Sequence, residues 1–145
     1  MSSPRELVAE LVHRYADAVV HKDQERWAAC WADDAHWYLS EGRTATGKPA
    51  IVKHWVESMA AIDLVVQNVF TGEVRFTEDT AAGRWYIVEH VRRGNGDVNL
   101  LLAYYDDTYV CIDGAWLFNS RRLTKLYHGL PDLSGSFTPP PGTTV

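Results

Sequence analysis

The chain has little of what would tie it to a metal, an oxidising compartment, a membrane or a nucleic acid. Its two cysteines, Cys30 and Cys111, lie far apart without metal-ligand spacing and fit a reducing compartment, so both read as buried thiols. No stretch approaches the roughly 18 consecutive apolar residues of a membrane span. The opening MSSPRELVAELVH lacks the uninterrupted apolar region of a signal peptide, and the expected location is cytoplasmic. Basic residues form no run beyond Arg92-Arg93 and Arg121-Arg122, and the net charge is -5, which leaves no footprint for nucleic acid or an anionic membrane. His13, His21, His36, His54 and His128 are scattered without a metal-binding pattern, and nothing calls for a cofactor. No internal repeat is present. The partners left are a small molecule and another copy of the chain.

What is present is a chain of 145 residues, 46% hydrophobic, enough for one domain over residues 1–130 with a core that needs neither metal nor disulfide. Its second half reads as a three-stranded antiparallel meander: GRWYIVEHVRR, NLLLAYYDDTYVCI and AWLFNSRRLTKLY. Gly94-Asn95-Gly96-Asp97 and Asp113-Gly114 break it with residues that tolerate the positive φ of tight turns. Strands this long and aromatic must curl and cover something, and their outer aromatics suit a homodimer or higher homo-oligomer.

The first half supplies helices. Ser3-Pro4-Arg5-Glu6 is a capping box with proline at the first helical position. The helix it opens runs to about His21, with Leu7, Val8, Leu11, Val12, Tyr15, Ala16 and Val19 on one buried stripe. Asp23 caps a second helix through Trp31, ended by Asp33-Asp34. Ala35 to Ser40 alternates as a short strand, residues 42–47 form a polar turn, and Pro49 opens a third helix. Leu64 to Phe70 and Gly72 to Thr77 read as one strand with a glycine bend. After Tyr127 the Pro, Gly, Ser and Thr content predicts an extended or mobile tail over residues 131–145. The expected class is α+β: a cone-shaped, curved antiparallel sheet wrapped around three N-terminal helices, with an apolar interior open at one end.

That order, carried by RYADAVVHKD, WADDAHWY, GRWYIVEH and YYDDTYVCIDGAWLF, resembles the nuclear transport factor 2-like superfamily and its SnoaL-like branch, nearly to Tyr127. The superfamily includes ketosteroid isomerase, scytalone dehydratase, bile-acid 7α-dehydratase, a lindane dehydrochlorinase, polyketide cyclases and non-catalytic dioxygenase subunits. The resemblance implies the cone fold but no single activity. Aligned without gaps from Tyr15 to Asp34, the tyrosine that donates to the isomerase substrate falls on Tyr15, its base aspartate on Leu39, and its second oxyanion donor on or beside Asp107. The aspartate and histidine of the dehydratases and dehydrochlorinase fall on Val20 and Gln67, which can neither orient an imidazole nor accept a proton near pH 7. A dehydrochlorinase arginine falls on Arg121.

Each candidate has two readings. Tyr15 is a pocket donor or a core tyrosine bonded to a carbonyl. Alternation puts Ala103, Tyr105, Asp107 and Tyr109 on one face and Tyr104, Asp106 and Thr108 on the other, so one of the two aspartates faces inward; if it is Asp107, it is a buried acid with a raised pKa, or a carboxylate paired with Arg121 or Arg122. His90 lies near a dehydratase pocket histidine, but a one-residue slip exchanges it for Glu89, and a lone strand histidine is commonly an ordinary residue. Gln67 orients substrate or water, Arg121 holds an anion or bridges strands, and Trp37, Leu39, Trp85 and Tyr105 form apolar wall. Two functions follow. One is a cofactor-independent isomerase, cyclase or lyase moving a proton next to the carbonyl of an apolar, cyclic substrate, with Tyr15 and Asp107 stabilising the oxyanion and His90 or Glu89 as base. The other is a non-catalytic binding or assembly module.

Overall fold

The computed structural model describes residues 1–143. Helix α1, Pro4–His21, starts at the expected capping box: Glu6 N–H donates to Ser3 Oγ at 3.2 Å and Ser3 N–H donates to Glu6 Oε2 at 2.6 Å. Its buried stripe includes Val8, Leu11, Val12, Tyr15, Ala16 and Val19. Helix α2, Gln24–Ala28, is capped by Asp23 and ends before the predicted Trp31, because Cys30 and Trp31 are drawn onto the sheet, where Phe118 N–H donates to Cys30 O at 2.8 Å. Strand β1 is therefore longer than expected, Trp31–Ser40. The polar stretch after it is a strand, β2, Arg43–Thr46, paired antiparallel to β1. Helix α3 spans Lys48–Ala60 and buries Ile51, Trp55 and Met59.

Four long strands follow: β3 Ile62–Thr77, β4 Thr80–Arg93, β5 Val98–Ile112 and β6 Ala115–Gly129. The β5–β6 turn has positive φ at Asp113 and Gly114, 51° and 82°, as a two-residue hairpin of this hand needs. The sheet order is β2-β1-β6-β5-β4-β3. It is mixed rather than wholly antiparallel, since β1 runs parallel to β6; the long excursion through α3 and β3–β5 lets two strands far apart in sequence lie side by side. A two-residue strand, β7 Ser136–Phe137, pairs with β6, and Gly135 N–H donates to the Tyr127 hydroxyl. The last two residues of the predicted tail, 144 and 145, lie outside the described residues.

Of the sheet's register shifts, three fall in the interior of the long strands and bend them. Between Val69 and Gly72, β3 gains a residue over β4. Strand β6 gains one over β5 at Asn119 and another at Leu126, because Ser120 and Phe118 face consecutive β5 residues, as do Tyr127 and Lys125. Each extra residue bends its strand and raises the local twist. The concave face closes over Trp27, Trp31, Trp37 and Trp55, where Trp27 stacks on Trp55 with ring centroids 4.6 Å apart. Among the described residues, no helix is long and apolar enough to cross a membrane.

Gly72 lies directly under the Trp85 indole, and a Cβ there would meet the ring at 2.2 Å. Gly72→Ala is expected to cost about 1–3 kcal/mol in urea unfolding. Gly94→Ala, with nothing within 4 Å of its Cβ, should stay within about 0.5 kcal/mol of wild type.

Candidate active site

A cavity of about 290 Å³ lies between the helices and the concave face of the sheet. Its buried wall includes Tyr15, Trp37, Val65, Gln67 and Tyr105, and its exposed rim Arg43, Glu57, Arg93 and His128. Leu39 and Leu123 add apolar surface, and Lys125 stands half-buried between wall and rim.

Strand parity decides what enters. On β4, Trp85, Ile87 and Val91 are buried, so Glu89 shares the inward face. Gln67 sits directly opposite on β3, and its Nε2 donates to Glu89 Oε2 at 2.7 Å. Burial raises the Glu89 carboxyl above its ordinary range, while Gln67 and the more distant Arg93 and Lys125 pull it back. Gln67 Oε1 is buried without a hydrogen-bond partner. His90, offered from sequence as the base, has the opposite parity and is exposed on the outer face; the strand pairs without a register shift there, so it cannot reach the cavity. The cavity alternative is Glu89.

Asp107 does share the inward face with Ala103, Tyr105 and Tyr109, but it does not line the cavity. It is paired with Arg121: Nε donates to Oδ1 at 2.7 Å and Nη2 to Oδ2 at 3.1 Å, while the Tyr109 hydroxyl donates to Oδ2 at 2.7 Å. Burial pushes the carboxyl upward, and Arg121 and Tyr109 oppose it. Three donors on two oxygens leave no acceptor for a carboxylic proton, so the geometry holds the ionised pair. Arg121 is 1% exposed and lies 4.4 Å from the Tyr15 ring centroid, 3.8 Å from Tyr105 and 4.2 Å from Phe118. It forms the layer beneath the cavity floor and does not itself reach the cavity. Trp85 also points inward but away from the cavity, donating to the Tyr109 hydroxyl at 2.9 Å and packing edge-on to His13.

The phenols of Tyr15 and Tyr105 do reach the cavity, and burial raises both above the ordinary tyrosine value while Arg121 pulls them down. They are neutral donors at any physiological pH. Val20, at the end of α1, is 36% exposed and holds no polar group toward Gln67. Among the described residues, no three His, Cys, Asp or Glu side chains are grouped to hold a metal. Sequence reasoning missed Arg43, Arg93 and Lys125 as lining residues. The signal for Glu89 was present: it is the one acidic residue on a parity that also carries Trp85, Ile87 and Val91.

A curled mixed sheet closed by three helices over an interior cavity is the α+β cone of the NTF2-like fold. The SnoaL-like domain profile matches residues 2–122, and the chain belongs to that family. Solved structures agree on the fold. A scytalone dehydratase-like protein of Novosphingobium aromaticivorans superposes with a TM-score of 0.85 at 20% identity, covering 97% of this chain and 95% of the other. A type 2 hexachlorocyclohexane dehydrochlorinase LinA gives 0.81 at 20% identity, covering 96% and 95%. The type 3 LinA of Novosphingobium barchaimii gives 0.80 at 20%, covering 94% of each. No curated protein sequence matches the chain.

Removing one partner of the buried pair strands the other. Asp107→Ala should lose about 3–5 kcal/mol in denaturant unfolding, and a loss below about 1 kcal/mol, typical of a surface pair, would show that the pair does not hold the core. Glu89 has the opposite sign. Its folded pKa is raised, so the wild-type protein gains stability by taking up a proton as pH falls. Glu89→Gln should therefore melt higher than wild type at pH 7, with the difference shrinking as pH falls through the raised pKa and vanishing below the ordinary glutamate range; thermal melts across pH check it.

Proposed function

We propose that the protein is a cofactor-independent enzyme that moves a proton next to the carbonyl of an apolar, cyclic substrate, as an isomerase, cyclase or lyase, with Glu89 as the base. The observation that carries this reading is a carboxylate inside the cavity, held by one neutral donor, Gln67, and raised above its ordinary range by burial. Ionised Glu89 takes the proton from the carbon beside the carbonyl and becomes the carboxylic acid. Negative charge moves to the carbonyl oxygen, where the phenols of Tyr15 and Tyr105 are the available donors. Arg121, stacked against both rings, strengthens that donation without touching substrate. Glu89 then returns the proton to another carbon, or a leaving group departs. Relatives named as a dehydratase and dehydrochlorinases share the fold, and both names describe reactions that remove a group next to a lost proton.

A second reading, a binding module without turnover, draws on the Val20 and Gln67 replacements and on the locking of Asp107 to Arg121. One experiment separates them. With 2-tetralone in D2O, the wild-type protein should speed deuterium exchange at the carbons flanking the carbonyl, with a rate that rises as pH passes upward through the Glu89 pKa, above the usual carboxylate range. Glu89→Gln should lose about 10²–10⁴ of that rate, and Tyr15→Phe about 10². Equal exchange by wild type and Glu89→Gln removes Glu89 from the mechanism. Tetralone that binds without exchange leaves the binding module.

A further inference from the structure

Beyond Glu89 the cavity turns cationic. Arg43, Arg93 and Lys125 all line it, together with His128. Among the described residues none of the three forms an ion pair within 4.0 Å, whereas Arg84, Arg92 and Arg121 are paired with Asp106, Asp63 and Asp107. Only two carboxylates line the same space. Glu57 is exposed on α3, and Glu89 is taken up by Gln67. In a chain of net charge -5, three unpaired cations around one cavity are a local reversal of sign.

The backbone is irregular where two of these residues enter. Lys125 and His128 are three apart, and a regular strand would turn them to opposite faces. The extra residue at Leu126 restores them to one face, with Lys125 opposite Ala103 and His128 opposite Leu101, the same Leu101 that pairs with Glu89 on its other side. Ala103 is small and leaves room above it. Lys125 is half-buried; its burial and then the Arg43 charge lower its pKa, and Glu89, already bonded to Gln67, offsets them only in part. Two further polar atoms lack partners in this cavity. They are Gln67 Oε1 and Trp37 Nε1, on side chains 7% and 5% exposed.

We propose that the ligand of this cavity is an amphipathic organic acid, its ring system lying against Trp37, Trp55 and Leu123 and its carboxylate held at the rim by Lys125, Arg43 and Arg93. The proposal names the substrate class for the site of the preceding subsection and rests on that cavity being the substrate site. The carboxylate end supplies the missing counter-charge, and the ring body fills the aromatic end.

Isothermal titration with 2-naphthoate and 2-naphthamide, equal in ring and nearly equal in size, tests it. The wild-type protein should bind naphthoate about tenfold more tightly, the scale of one charge-assisted contact, with the preference falling as salt rises because the rim is exposed. Lys125→Gln should bring the two ligands to within about twofold, with the larger loss falling on naphthoate. Arg43→Gln, on the short rim strand, serves as a second variant should Lys125→Gln melt early, and should also narrow the preference. Naphthamide binding as tightly as naphthoate, a preference untouched by both variants, or no binding of either ligand at millimolar concentration each overturns the proposal. The exchange assay fails independently: naphthoate preference without proton exchange leaves an acid-binding module, and exchange without acid preference leaves an enzyme for neutral ketones.

Discussion

The ion pair between Arg121 and Asp107 is the constraint on which the rest of the structure depends. Two charges taken out of water cost several kcal/mol each, and their attraction repays this only where every remaining donor and acceptor is met. Here Tyr109 completes the carboxylate, Trp85 completes Tyr109, and the guanidinium faces three aromatic rings. The chain of contacts ties β4, β5 and β6 to each other and, through Tyr15, to α1. Helix α1 is seated where the charge needs a ring. That ring and Tyr105 also line the cavity, where burial raises both phenols and Arg121 pulls them back.

The two inward carboxylates of the sheet show how environment separates roles. Asp107 has three donors and a fixed cation in contact, so its charge is satisfied and unavailable. Glu89 has one neutral donor, its cations lie further off, and its surroundings still favour the proton. A carboxyl raised by burial and free of a fixed ion pair can take up and release a proton; one locked in an ion pair cannot. The loss of the family's Asp and His positions therefore does not empty the cavity of acid–base chemistry. On the proposed reading that chemistry lies one strand over, at Glu89, the cross-strand neighbour of Gln67.

Much of this was legible from residue pattern. The capping box, the α1 stripe and both hairpin turns followed from local rules, and the regular alternation of β5 set Asp106 and Asp107 on opposite faces without saying which faced inward. The pairing of Asp107 with Arg121 rather than Arg122 was open, since it turns on the register of a neighbouring strand. Glu89 and His90 were separable in principle by the Trp85, Ile87, Val91 parity, yet Tyr86 and Val88 make the other parity apolar as well and blur the signal. Strand β2 and the parallel contact of β1 with β6 were hidden because they depend on what the long strands leave uncovered, which no local pattern encodes.

What sequence alternation could not show is where alternation stops. Strand β6 breaks it twice, and each break has a residue behind it that matters. Without the extra residue at Asn119, Phe118 and Arg121 would face opposite sides, and the guanidinium would lose either its aromatic partner or its carboxylate. Without the one at Leu126, Lys125 and His128 would be divided between cavity and solvent. A bulge interrupts the ladder and costs stability, and a strand that carries two of them is holding side chains that a regular strand would put out of reach. The first serves the ion pair that holds the core. The second brings Lys125 and His128 to the cationic rim, where Lys125, Arg43 and Arg93 form no ion pair within 4.0 Å among the described residues.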